Sequence, residues 1–429
     1  MSDVYLNGTR PHVLLLGWRS EAARALMDRG ARVTCVGKPQ HRKEAQTVAP
    51  EMPFLSARHP DNLDDCVGAF TRAGLSREDF DLACTGSEVP MVLAALLNRG
   101  ASGIALRTAV ALRDKAAQKE CLLSKGIPTA SWTVVDDLDA LAVLHASGQD
   151  AVLSDFFRGS EVPSATAGVV IKPLAGGGAR DTFRVRTASE LADARERVSP
   201  EMKNGPWLVE TFVEGTEYQV DGIVRDGRVR TLTVARYLEN LIGVHDGAVV
   251  GTIVLRQSDH TRLYADARQL TASALEAIGH ANGVFHLELF EQAERLVFGE
   301  CAGRVSGGVV DLAVQHMFGV DLHEGWARAL LALAPTDEMT DPKAVFAEIF
   351  LGCPPGTVLA VPSQSDVLVR PGVVDAFIDV AVGDRMPDMS ASSGMRAAAA
   401  VVQGADEREV ERRMYDLVSW FTSQCEVTD

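Results

Sequence analysis

The chain has 429 residues, enough for about three domains of ordinary size, and its 46% apolar and 23% charged content is that of a globular protein able to bury cores. Its 42 Lys and Arg stand against 58 Asp and Glu, a formal charge of −16, which argues against an electrostatic grip on nucleic acid or anionic lipid and requires any polyanion to meet a local basic pocket. No apolar run approaches the roughly 18 residues of a membrane span, and seven cysteines without a C-x-x-C pair argue against a disulfide framework or structural zinc, so a soluble cytoplasmic protein is expected.

The chain opens as consecutive α/β units. His12 to Leu16 is a short apolar run ending at Gly17; Ser20 to Arg29 has helical spacing through Ala22, Ala25 and Leu26; after the stop signal Gly30, Ala31 to Val36 is a second apolar run. That reads as a β-α-β unit with parallel strands. The turn Gly17-Trp18-Arg19-Ser20-Glu21-Ala22 has one glycine where a dinucleotide fingerprint needs three, so nicotinamide binding is not expected. Residues 81–100 again read as strand, Gly/Ser turn and apolar helix, and a helix over 109–125 is expected to close at Gly126; the first domain ends near residue 107. From 130 to 205 come short strands and one helix whose start, Thr187-Ala188-Ser189-Glu190, has capping-box spacing. Residues 206–330 read as antiparallel strands and hairpins followed by helices, 350–403 as β structure with Pro/Gly turns, and 406–422 as an amphipathic helix. The fold class is therefore α/β plus α+β.

Three segments hold residues suited to chemistry. In 169–185, Lys172 ends an apolar strand and is followed by Gly176, Gly177 and Gly178. This is either a flexible hairpin with a surface lysine or a backbone cradle for phosphates with a point charge beside it. In 207–224, Glu210 and Glu217 flank a turn at Gly215, either solvated or placed to accept from the amino and hydroxyl groups of a nucleoside. In 285–308, a hairpin centred near Glu294 sets Glu288 opposite Glu300. Directly opposed side chains have Cβ atoms about 4.5–5.5 Å apart, so these are unrelated solvated glutamates or a carboxylate pair suited to Mg²⁺. Arg304 precedes Ser306-Gly307-Gly308, where a helix is expected to begin; a guanidinium beside a helix N-terminus is an anion site. His286 shares a strand face with Glu288 and is either structural or a contact for a phosphate or carboxylate. Glu88 follows the strand ending at Cys84 and either meets a substrate amine or favours the helix dipole.

The order of these elements, Lys115, then Lys172 with its glycine loop, E-x₆-E at 210 and 217, and E-x₁₁-E-x₃-R-x₂-GG from 288 to 308, resembles the ATP-grasp superfamily over essentially the whole chain. Within it the chain is most similar to carboxylate–amine ligases with a biotin-carboxylase-like plan, including bacterial L-amino acid ligases that make dipeptides. The resemblance implies a parallel α/β N-terminal domain (1–107), an ATP-grasp domain (108–330, with 130–205 a mobile lid), antiparallel in its catalytic part, and a β-rich C-terminal extension (331–429) packed on it.

It implies ATP and Mg²⁺, or Mn²⁺ in its place, as cofactors. Lys115 and Lys172 would reach the phosphates, with Gly176, Gly177 and Gly178 over them. Glu210 and the backbone of Thr211, Phe212 and Val213 would hold the adenine edge, Glu217 the ribose hydroxyls, and Glu288 and Glu300 the metal. Arg304, with Lys172 and His286, would serve the transferred phosphoryl group, and Glu88, Arg304, Gly307 and Gly308 would meet the substrate. The family usually writes E-x-N-x-R where this chain has Glu300-Cys301-Ala302-Gly303-Arg304, and alanine supplies no ligand to a second metal. The implied reaction joins a small-molecule carboxylate to an amine through an acyl phosphate, releasing ADP and phosphate, with no nucleic-acid or membrane partner and with a homodimer compatible. The rivals are a carboxylase or purine-pathway-type ligase on the same scaffold, and a nucleotide-binding regulator whose metal site has decayed.

Overall fold

A computed structural model describes residues 10–99, 103–139, 168–202, 205–335, 339–340 and 342–428. The N-terminal elements are β1 (His12–Leu16), α1 (Ser20–Asp28), β2 (Arg32–Gly37), α2 (Arg42–Val48), β3 (Phe54–Ser56), α3 (Leu63–Arg72), β4 (Leu82–Cys84) and α4 (Met91–Leu97). They form a parallel sheet ordered β3-β2-β1-β4. Strand β1 is apolar from Val13 to Leu16 because both its faces are covered: Val13 and Leu15 pack with Ala22, Ala23 and Leu26 of α1, Leu14 and Leu16 with Cys66 and Phe70 of α3. The strand order reverses between β1 and β4, and ligands of open parallel sheets bind at that crevice beyond the strand ends. Gly17 turns the chain there at φ +76°, and Glu88 follows β4 on the same edge.

The single helix expected over 109–125 is two, α5 (Leu106–Arg113) and α6 (Lys115–Leu123). Asp114 is extended and its carboxylate caps the amides of Ala116 and Ala117, a local alternative that outcompetes continuation of the helix. The break fixes Lys115 at the first position of α6, where its amide donates to Leu174 O at 2.9 Å.

A four-stranded antiparallel sheet follows, with β5 (Trp132–Val135), β6 (Val169–Pro173), β7 (Phe183–Val185) and β8 (Trp207–Thr211) in the order β5-β8-β6-β7, backed by α7 (Ala188–Arg197). Ile171, Trp207, Val209, Phe183 and Leu191 make its core. Thr187 caps α7 through the Glu190 amide, while the Glu190 carboxylate reaches the Arg186 amide instead of closing the capping box. Of the expected lid, 130–205, residues 140–167 and 203–204 lie outside the described residues.

The remaining strands are β9 (Thr216–Arg225), β10 (Arg228–Tyr237), β11 (Gly251–Val254), β12 (Gly283–Gln292), β13 (Arg295–Ala302), β14 (Val345–Leu351), β15 (Gly356–Ala360), β16 (Val373–Ile378), β17 (Arg385–Met386), β18 (Ala398–Gly404) and β19 (Glu426–Thr428). Between them lie α8 (Thr261–Ile278), α9 (Val310–Phe318), α10 (Leu322–Leu330), α11 (Gln364–Leu368) and α12 (Glu407–Gln424). Eight strands form one sheet in the order β13-β12-β9-β10-β11-β14-β18-β16, so the C-terminal segment packs on its neighbour by extending the sheet, and both share one core with α8 and α12.

Candidate active site

The cleft between the four-stranded sheet and the eight-stranded sheet collects nearly every candidate residue. Lys115, Lys172, Gly176, Gly177, Gly178, Glu210, Thr211, Phe212, Val213, Glu217, His286, Glu288, Glu300, Arg304, Gly307 and Gly308 all line it.

The β12–β13 hairpin sets its carboxylates. Ala293 and Glu294 take φ +48° and +63°, the left-handed pair of a two-residue hairpin turn. Gln292 pairs with Arg295 and Leu289 with Phe298, then Gly299 bulges out, and Glu288 pairs with Glu300. Glu300 also meets Lys115 Nζ at 3.1 Å. Burial opposes its charge, but Lys115 and Lys172 outweigh that and hold its pKa at about 2. On neighbouring β9, Glu217 accepts the Leu241 amide at 2.8 Å, yet burial and then the Glu288 charge push it up to about 8. His286 lies 3.0 Å from Asp221, its register partner on β9, and 3.8 Å from Glu288. Burial disfavours its charge, but Asp221 overrides this and lifts its pKa to about 10, so it stands as an imidazolium in the cleft.

Glu210 is gripped from both sides. Lys172 pairs with one oxygen, and Lys119 donates to the other at 2.9 Å and to Thr129 at 2.8 Å. Burial raises and the two ammoniums lower the Glu210 pKa, and the ammoniums prevail. Burial also works against Lys172, but Glu210 and Glu300 together raise its pKa above the usual lysine value. The adenine-edge role expected of the Glu210 side chain thus meets a carboxylate already committed to two lysines, while the backbone of Thr211, Phe212 and Val213 borders the same cleft.

The glycine loop is fastened at both ends. Lys115 Nζ donates to Gly176 O at 3.1 Å, and Gly178 O accepts from the Ser393 amide at 3.0 Å and the Ser392 hydroxyl at 2.7 Å. Gly178 is at φ +65°, and a Cβ there would lie 3.1 Å from Ser392 Oγ, so the close approach to the C-terminal segment needs glycine.

At the far end the Glu88 oxygens take Arg113 Nη1 at 3.1 Å and Arg304 Nε and Nη2 at 3.1 and 2.9 Å, so the carboxylate expected to meet a substrate amine is held by two guanidiniums and orients Arg304. One expectation is corrected there. The helix expected to begin at 306–308 begins at Val310, and its leading amide, Val309 N, donates to Glu348 at 2.7 Å. That terminus already holds a buried carboxylate.

Charge in the cleft is thus sorted: ammoniums from α6 and β6 under a glycine loop, carboxylates on β9, β12 and β13, and a guanidinium beyond them. That arrangement suits a polyphosphate and its cation. Residues 165–311 match the family described as the ATP-grasp domain. The chain therefore carries an ATP-grasp domain. It is 23% identical over 300 residues, 68% of each protein, to an L-arginine-specific L-amino acid ligase of Bacillus subtilis. The L-amino acid ligase of Bacillus licheniformis superposes with a TM-score of 0.73 at 16% identity, covering 98% of this chain and 100% of that one. The carboxyaminoimidazole ribonucleotide synthase of Aspergillus clavatus, solved with ATP, gives 0.72 at 14% identity over 96% and 99%.

Several residues of this ATP-grasp cleft were not foreseen. Lys119 sits one turn after Lys115 on α6, and that i, i+4 spacing was the available signal. Asp221, Glu348, Ser393 and Arg396 come from strands and loops whose pairing only the fold reveals. Among the described residues no helix is long and apolar enough to cross a membrane.

Proposed function

We propose that the enzyme activates the carboxylate of one amino acid or amino-acid-like substrate with the γ-phosphoryl group of ATP and joins the acyl phosphate to the amine of a second, releasing ADP and phosphate. The observation that carries this is the convergence on one cleft of Lys115, Lys172 and Arg304 with the Glu288–Glu300 pair. Phosphoryl transfer is mostly positioning and neutralisation of spreading negative charge, and these groups supply both. Similarity to two amino acid ligases supports amino acids as substrates.

The donor set fits Mg²⁺. Glu288 and Glu300 are hard oxygen ligands in register on the hairpin. No preformed cluster of three or more ligating side chains exists among the described residues, in keeping with an ion that completes its shell with phosphate oxygens and water. Bound there, Mg²⁺ would neutralise the terminal phosphates. Lys115 and Lys172 hold those phosphates, the backbone of Thr211 to Val213 borders the base, and the glycine loop excludes water from the acyl phosphate until the amine attacks. Arg304, oriented by Glu88, and the His286 imidazolium face the phosphoryl group as it moves.

The product of ATP decides the matter. Phosphoryl activation yields ADP and phosphate, adenylation AMP and pyrophosphate. Hydroxylamine should replace the amine and trap a hydroxamate of the acid substrate. AMP formation, or ATP consumption indifferent to added carboxylic acid, would overturn the proposal.

A further inference from the structure

Beyond Arg304 the cleft has a floor that the phosphate chemistry does not use. Glu348 on β14 lies there, 5% exposed, pointing to the sheet face it shares with Phe350, Ala399 and Val401. Its oxygens accept from the Thr252 hydroxyl at 3.2 Å and the Val309 amide at 2.7 Å, both neutral donors. The nearby Arg396 is committed elsewhere, its Nε 2.6 Å from Asp379 and its guanidinium 4.6 Å over the Phe350 ring. Asp311 adds a further negative field, and burial, ahead of Asp311, raises the Glu348 pKa to about 7. The Arg396 charge lowers that pKa but ranks below burial and Asp311, so the carboxylate, hydrogen-bonded only to neutral donors against apolar surface, stays costly, and a cation delivered to it reduces the cost.

Gly307 and Gly308 border the approach to it. A Cβ at Gly307 would meet nothing within 4 Å, whereas one at Gly308 would lie 2.3 Å from Glu348 Oε2 and 2.8 Å from the Phe350 ring. Any side chain at 308 would therefore cover the carboxylate.

We propose that Glu348 receives the positively charged side chain of one substrate, so that one of the two amino acids joined carries a guanidinium or ammonium group. This rests on the ligase reading above. The Gly307-Gly308 step leaves the passage, Phe350 flanks the aliphatic stem, and Glu348 closes it with a charge-assisted hydrogen bond.

The test pairs isosteres that differ in charge, L-arginine against L-citrulline and L-lysine against L-norleucine, each with one fixed neutral amino acid and Mg·ATP, in the full-length protein scored by phosphate release. A charge-assisted bond predicts kcat/KM about 10- to 100-fold higher for the cationic member. Glu348→Gln should collapse the ratio to near one, and Glu348→Asp should keep part of it. A wild-type ratio near one, or equal losses for arginine and citrulline in Glu348→Gln, would overturn the proposal and make Glu348 a structural group or an anchor for the α-ammonium common to all amino acids. Calorimetric titration of L-arginine and L-citrulline into the wild-type protein with Mg·ADP separates the two readings. Preferential arginine binding without phosphate release sinks the ligase and keeps the cation site, and equal binding sinks the site whatever the turnover.

Discussion

Replacing Glu210 by glutamine removes the one counter-charge shared by two ammoniums. Lys119 is 2% exposed in its side chain and Lys172 12%, so neither can turn to water for compensation. Breaking a buried pair by removing one partner costs about 3–5 kcal/mol, because the surviving charge is left uncompensated. Here two survive side by side, with Glu300 as the nearest remaining carboxylate to offset them, so we expect a loss in the upper part of that range. Chemical denaturation of wild type and variant in urea at pH 7 measures it. The sign of the pH dependence gives a second check. Burial already lowers the Lys119 pKa below 10.5, and without Glu210 it falls further. The native state then binds fewer protons than the unfolded chain, and the stability of Glu210→Gln should rise as pH rises from the depressed native pKa toward 10.5. A variant within 1 kcal/mol of wild type, with no recovery at alkaline pH, and impaired only in its KM for ATP, would refute the clamp and leave Glu210 a nucleotide contact.

Lys172→Ala should raise the KM for ATP and lower turnover, losing about 1.5–3 kcal/mol of one charge-assisted contact; unchanged steady-state kinetics in a folded variant would make the lysine a bystander. Glu300→Gln should abolish activity across an Mg²⁺ titration, whereas Ala302→Asn should be tolerated or shift the Mg²⁺ dependence, and full activity of Glu300→Gln at limiting Mg²⁺ would remove the metal assignment.

How far the sequence could be read depended on whether the signal was local. The opening β-α-β unit was legible because β1 is covered on both faces and reads as an unbroken apolar run, and Gly17 ends it at a positive φ. The Glu288–Glu300 register was legible from a hairpin centred near Glu294, but for a composite reason. The turn is centred between Ala293 and Glu294, which alone would set Glu288 against Gly299, and the bulge at Gly299 restores the pairing. The break at Asp114 was missed because helical periodicity continues across it while the capping preference of aspartate decides locally. The Glu88–Arg304 and His286–Asp221 pairs join positions 216 and 65 residues apart, which no window of sequence contains.

The eight-stranded sheet also dictates an order of assembly. Strand β11 finds its second partner in β14, nearly a hundred residues later, and β14 in turn needs β18. A nascent chain that has emerged only as far as α10 presents the edge of β11 to solvent, with Ile253 and Val254 beside unpaired amides and carbonyls. Such an edge templates association with other chains until the last hundred residues arrive to cover it. The stretch of sequence that carries the ATP-grasp signature, taken alone, therefore leaves that edge uncovered. Its yield during synthesis should then depend on how promptly the last hundred residues are delivered.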